Sequence, residues 1–233
     1  MIVLGIETST QICSAALTQD GRLLADYRIN IKNAHARHLF NMISHICTVS
    51  GNPVNKLDGL AVSIGPGSFT GLRIGLAAVK GLAIADHIPV TAVSTMQALA
   101  MQAPVMQGII CPVIKSRNRE YYMALFERSN GEDSLLKETT LVKHDEVNRF
   151  IPANCLLIGH TDDFTSSEMV VPGLQIAPAC YAYLDAYTIA LLGTKQFAQN
   201  KTDAIENLQP LYYQEFIAGI PKRTSLLQNN KPA

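Results

Sequence analysis

A chain of 233 residues can form one domain or two modest ones, each large enough to bury a core. Its 19 basic and 19 acidic residues cancel, which excludes the basic excess of a protein that grips nucleic acid by itself. A hydrophobic fraction of 48% against 16% charged describes a folded soluble protein with apolar surface to hide, some of it in a partner.

The N-terminus has no basic stretch ahead of its apolar run and does not read as a signal peptide. Ile2 to Ile6 is a continuous apolar segment, as expected for a strand covered on both faces. Ile12 to Thr18 and Arg22 to Ile29 follow as strands, joined by the hairpin signal Asp20-Gly21. From His35 to Ser50 the period becomes helical, with Leu39, Met42, Ile43, Ile46 and Val49 on one face, and Gly51-Asn52-Pro53 closes the helix. A short strand from Gly59 to Ile64 enters a glycine-rich turn. Behind the turn a helix is predicted from about Thr70 to Ala85, then a strand over Val90 to Val93 and a helix over Ser94 to Met101.

Around Gln102-Ala103-Pro104 the order restarts. Ile109 to Ile114, Tyr121 to Phe126 and Leu136 to Val142 read as strands, the last two separated by the polar loop Ser129 to Asp133. A short helix over His144 to Phe150, a strand over Cys155 to Ile158 and a long helix from Pro178 to about Phe197 complete the pattern. The echo predicts two α/β domains facing each other, 1–103 and a smaller 104–233 with a polar tail beyond Pro221. Glycine and charge interrupt every apolar stretch before membrane-spanning length, so no membrane association is expected. Cys13, Cys47, Cys111, Cys155 and Cys180 lie far apart with no C-x-x-C pair, favouring buried thiols in a reducing compartment; the cytoplasm is the expected location.

Two segments could carry chemistry. Glu7-Thr8-Ser9-Thr10 places an acid and three hydroxyls at a turn, able to offer donors to phosphate with the acid holding Mg²⁺ through water. The plainer account of the same residues is a hairpin whose small polar side chains satisfy their own backbone. In the stretch from Ser63 to Gly75, a strand, a glycine turn and a helix N-terminus make a ready anion site around Gly65, Gly67, Ser68 and Thr70. A structural account is also open: Gly65 and Gly67 permit the turn, Thr70 or Ser68 caps the helix, and Phe69 is buried. Gly71, Gly75 and Ala78 recur at near-helical spacing, so another helix could approach closely, within or between chains. His35 and His38 lack further partners for a metal, and no nucleophile or zinc-protease signature appears, so no metal site and no catalytic residue are expected.

Ile64 to Ala83, reading IGPGSFTGLRIGLAAVKGLA, together with Ile6 to Thr10, resembles the TsaB (YeaZ) family. The resemblance implies the actin-like ATPase fold, with two duplicated ribonuclease H-like α/β domains. It implies a non-catalytic partner of TsaD, the catalytic subunit, acting with the ATPase TsaE. Together these transfer a threonylcarbamoyl group to N6 of adenosine 37 in tRNAs reading codons that begin with A. Contact with tRNA would run only through the complex, and the chain alone would form a homodimer. The isolated chain is expected to bind no cofactor, with ATP or ADP placed at the complex interface. The family's partner-binding helices correspond here to His35, Leu39, Met42, Ile43, Ile46, Gly71, Arg73, Ile74, Gly75 and Ala78. The paralogous TsaD carries a metal-binding H-x-x-x-H where this chain has Thr95 and Leu99, which cannot replace two imidazoles. Glu7 stands where the family usually has Asp, Ala36-Arg37 replaces Ser-Glu, and Lys115-Ser116-Arg117 replaces Asp-Ala-Arg. A stand-alone ATPase or phosphotransferase of the same fold is the alternative.

Overall fold

A computed structural model describes residues 1–164 and 169–213; the polar tail predicted beyond Pro221 lies outside them. The first sheet contains β1 (Ile2–Glu7), β2 (Cys13–Gln19), β3 (Arg22–Ile29), β4 (Gly59–Gly65) and β5 (Val90–Ser94), in the order β3-β2-β1-β4-β5. The second contains β6 (Gly108–Lys115), β7 (Glu120–Ser129), β8 (Glu132–Lys143), β9 (Cys155–Gly159) and β10 (Gln175–Ile176), in the order β10-β9-β6-β7-β8. Each sheet starts as an antiparallel meander and turns parallel on the far side of its first strand. The restart read around Pro104 is therefore a repeat of one topology.

Local chemistry sets these elements. Asp20 and Gly21 both adopt positive φ, 51° and 77°, the geometry a two-residue hairpin turn requires. Asn130 and Gly131 do the same at 54° and 78°. The loop predicted from Ser129 to Asp133 is thus a tight turn, and β7 and β8 run longer than their apolar patterns suggest. Helix α1 (Ala34–Ser50) ends on Gly51 in the left-handed region. Helix α2 (Phe69–Asp86) is capped by Ser68, whose Oγ accepts from Gly71 N at 3.2 Å.

Helices α1 and α2 cover one face of the first sheet, burying Leu39, Met42, Ile43, Ile46, Leu76 and Val79 against Leu4, Ile6, Leu17 and Val62. Helix α5 (Ala186–Ala198) covers the other face. Helix α3 (Thr95–Met101) and α4 (Val147–Phe150) pack on opposite faces of the second sheet.

The last long helix begins at Ala186 rather than Pro178. Residues Ala179–Ala182 form one 3-10 turn, Tyr183 is extended, and Asp185 caps the helix by accepting from Thr188 N at 2.7 Å. A strong acidic cap placed after the apolar run outweighs the continuation of the pattern. The helix lies very close to the sheet: a Cβ on Gly5 would sit 2.2 Å from Ala186 O, and one on Gly193 2.4 Å from Ala61 Cβ. Among the described residues, no helix is long and apolar enough to cross a membrane.

Candidate functional site

The two segments singled out in the sequence fold onto each other. Ser68 N donates to Ser9 O at 2.6 Å, and a Cβ on Gly67 would lie 2.2 Å from that same carbonyl. Gly65 holds a φ of +112° immediately before a cis peptide bond to Pro66. The glycines of the turn thus serve contact with residues 7–10, and Gly67 could carry no side chain there.

Within the turn, Glu7 is fully buried, and its Oε1 accepts from Ser9 N at 2.6 Å and from Ser9 Oγ at 2.5 Å. Burial pushes its pKa up to about 7, against the opposing pull of the Ser9 and Ser63 hydroxyls and the Ser9 and Thr10 amides. Its Oε2, like Thr8 Oγ1 and Thr95 Oγ1, has no hydrogen-bond partner among the described residues. Two of the turn's donors, Ser9 N and Ser9 Oγ, are thus engaged by the chain's own carboxyl. Thr8 is also buried and faces α2: a Cβ on Gly71 would meet Thr8 O at 2.1 Å, and one on Gly75 would meet Thr8 Oγ1 at 2.3 Å. The small-residue stripe therefore fits the chain's own turn. Ala78, 1% exposed, joins the same core.

Ser9, Thr10, Gly67 and Ser68 form one wall of a cleft of about 450 Å³ between the two domains. Thr70 is exposed in the first turn of α2, and the capping role falls to Ser68. The opposite wall carries Lys115, Arg117, Tyr122 and His160, and Leu211 to Tyr213 close the rim. Lys115 N donates to His160 Nδ1 at 3.0 Å, and burial pushes the His160 pKa down. Lys115 Nζ pairs with Asp163 at 2.6 Å, and Tyr121 Oη donates to the same carboxylate oxygen at 2.7 Å. Both contacts hold the Asp163 carboxyl below its ordinary pKa. The departure at Lys115 to Arg117 was a sequence signal for this wall. Nothing local marked the closing tyrosines, because their place depends on a chain return from the far end.

His35 sits at the cleft edge, its Nε2 3.0 Å from Ile12 O, where it ties the start of α1 to the first sheet. Leu39, Met42, Ile43 and Ile46 are only 1–2% exposed and face inward. The periodicity identified the face of α1 that packs on the sheet, and Ile43 at its edge also lines an outer groove. Phe40 and Ile84, 59% and 63% exposed, stand outward. Phe40, Ile43, Cys47, Val54 and Leu82 line a groove on this side. A Cβ on Gly81 would meet no atom within 4 Å, so α2 has an open position on this side. Ile74 is half-buried and Arg73 is exposed at the N-terminal end of the helix.

The model of the TsaD family, described as tRNA N6-adenosine threonylcarbamoyltransferase, matches residues 23–215. The tRNA threonylcarbamoyladenosine biosynthesis protein TsaB of Escherichia coli (strain K12) is 28% identical, across 94% of this chain and 96% of that protein. YeaZ from Pseudomonas aeruginosa superposes with a TM-score of 0.80 at 28% identity, covering 91% of this chain and 99% of that one. ROK hexokinase from Thermus thermophilus, at 11% identity and a TM-score of 0.51, covers 85% and 100% and shares the fold alone. The paired sheets are the duplicated domains of the actin-like ATPase fold.

Proposed function

The chain belongs to the TsaD family as a member of the TsaB (YeaZ) type, and on that premise we propose that it is a non-catalytic subunit in tRNA threonylcarbamoyladenosine biosynthesis. It docks on a TsaD-like catalytic subunit and acts with a TsaE-like ATPase, meeting tRNA only within that assembly. The observation that carries this reading is the outward apolar surface of α1 and α2, where Phe40 and Ile84 stand more than half exposed and Phe40 and Leu82 line a groove of about 510 Å³. An apolar patch of this kind on a small domain marks a contact surface. The open position at Gly81 lets a partner helix come close. In the absence of a partner, the same face supports self-association.

Chemistry of the donor set agrees with a supporting role. Thr95 and Leu99, at the positions of the paralogue's paired histidines, are 0% and 2% exposed, and Leu99 packs in the second core. Neither side chain offers a metal an imidazole. A nucleotide, if the assembly holds one, belongs at the junction of the subunits.

Phe40→Asp and Ile84→Asp test the docking face, because both side chains are exposed and neither change opens the core. Co-expression with the TsaD-like subunit from the same source should give loss of co-purification by either variant, with unchanged thermal unfolding of the chain alone. Retention at full stoichiometry would overturn the proposed face. The rival reading, a stand-alone ATPase using the cleft, requires the isolated chain to bind Mg-ATP. Titration calorimetry showing no heat in large ligand excess disposes of it.

A further inference from the structure

We propose that Leu211 to Tyr213 form a strap that ties the two walls of the cleft together and sets how far the domains can open. After α5 the chain stays on the first domain, where Asp203 N donates to Val90 O at 2.8 Å and Asp203 Oδ2 accepts from Ala92 N at 2.7 Å. Leu208 then enters the first core at 6% exposure, and Leu211 N donates to Ile64 O at 2.8 Å beside the glycine turn. At this point two adjacent tyrosines diverge. Tyr212 stays with the first domain: its ring centroid lies 5.2 Å from that of Phe69, and its hydroxyl accepts from Arg73 Nε at 3.0 Å. The Arg73 guanidinium lies 3.7 Å from the Phe69 ring centroid, completing a stack at the start of α2. Tyr213 crosses to the second domain, where its ring centroid lies 5.8 Å from that of Tyr122 on β7.

Burial separates this strap from the core that anchors it. Tyr212 is 48% exposed and Tyr213 39%, whereas Leu208 is closed to solvent. Contacts between half-exposed rings and an exposed cation are individually weak. They restrain a motion without welding it. The backbone otherwise crosses between the sheets through residues 102–107 and 177–185, where Arg128 of β7 donates to the carbonyls of Ala100, Ala103 and Val105; the tyrosine pair adds a side-chain tie at the cleft rim. All three strap residues line the cleft, so any ligand entering between Ser68 and Arg117 meets them at the rim.

The test measures the distance between spin labels at Asp86→Cys on the end of α2 and Glu138→Cys on β8, both exposed, by pulsed electron resonance. Cys180→Ser removes the one exposed cysteine of the described residues, the other four being buried. With the strap intact, a single narrow distribution is expected. Tyr213→Ala, made at an exposed position, should shift it to longer separations and broaden it, and Tyr122→Ala should do the same from the opposite wall. Wild-type distributions in the folded Tyr213→Ala protein would overturn the strap, as would broadening by Tyr122→Ala alone.

Discussion

Because Glu7 is fully buried and its hydrogen bonds come from serine and backbone donors rather than from a cation, its pKa in the folded chain rises from 4.5 to about 7. The unfolded chain releases this proton at lower pH than the folded chain does. The contribution of Glu7 to stability is therefore fully present below about pH 4.5. It declines as pH rises and is lost above about 7. A difference of this size corresponds to about 3 kcal/mol at the order-of-magnitude level. Glu7→Gln keeps an acceptor for Ser9 and removes the titration, so the wild type should lose about this much stability relative to the variant between pH 5 and 8. Denaturant unfolding at a series of pH values checks it, and parallel pH profiles would refute the assignment. At this scale the sequence revealed the polar turn but left its purpose open between phosphate binding and self-satisfaction. The deciding fact is depth: Glu7 lies beneath the turn, and one residue's position in a repeat does not disclose how far a carboxyl is from water. Ile43 teaches the same lesson, since the period that marked an apolar face could not say whether sheet or partner covered it.

Helix α2 offers a sharper comparison, because two of its glycines should respond oppositely to the same substitution. Alanine at either position gains about 1 kcal/mol in helix propensity. At Gly75 the added Cβ would meet Thr8 Oγ1 at 2.3 Å, in a turn already fixed by Glu7 and Ser9. Overpacking of that kind costs roughly 1–3 kcal/mol, so Gly75→Ala should be net destabilising. At Gly81 the Cβ meets nothing within 4 Å, and Gly81→Ala should raise the denaturant midpoint of the isolated chain. Both changes shifting stability in one direction would contradict this account of the helix. A smaller test belongs to α5: Asp185→Ala removes the side-chain acceptor of Thr188 N and should cost about 1 kcal/mol in denaturant unfolding. Elements were the most legible level of this fold. Helical period located α1 and α2 within a residue or so, and Asp20-Gly21 marked its turn because both positions must adopt positive φ, whereas the equivalent turn at Asn130-Gly131 was hidden in a polar stretch read as a longer loop. The start of α5 was misplaced because Ala179 to Leu184 continues an apolar composition while adopting another conformation.

In the whole molecule, duplication of a topology does not make two independent folding units. The strands of the first sheet lie within residues 1–103, yet the face bearing Val3, Ala61 and Val93 is covered by Ile189, Ala190, Leu192 and Phe197 of α5. That helix follows the entire second sheet in the chain. Gly5, Gly59 and Gly193 lie where sheet and helix meet too closely for a Cβ, so the seam is shaped for these two surfaces. Exposing the seam forfeits roughly 1.5–3 kcal/mol for each large apolar side chain returned to water. Ile189, Leu192 and Phe197 alone approach the net stability of about 5–15 kcal/mol typical of a native protein. A fragment ending at Ala103 should therefore fail to unfold cooperatively by circular dichroism and should expose apolar surface to a hydrophobic dye. A peptide spanning Leu184 to Asn200, added in excess, should restore a cooperative transition by covering Val3 and Ala61. A fragment that folds alone, with a sharp transition and no dye binding, would mean that the first sheet is closed by α1 and α2 without α5.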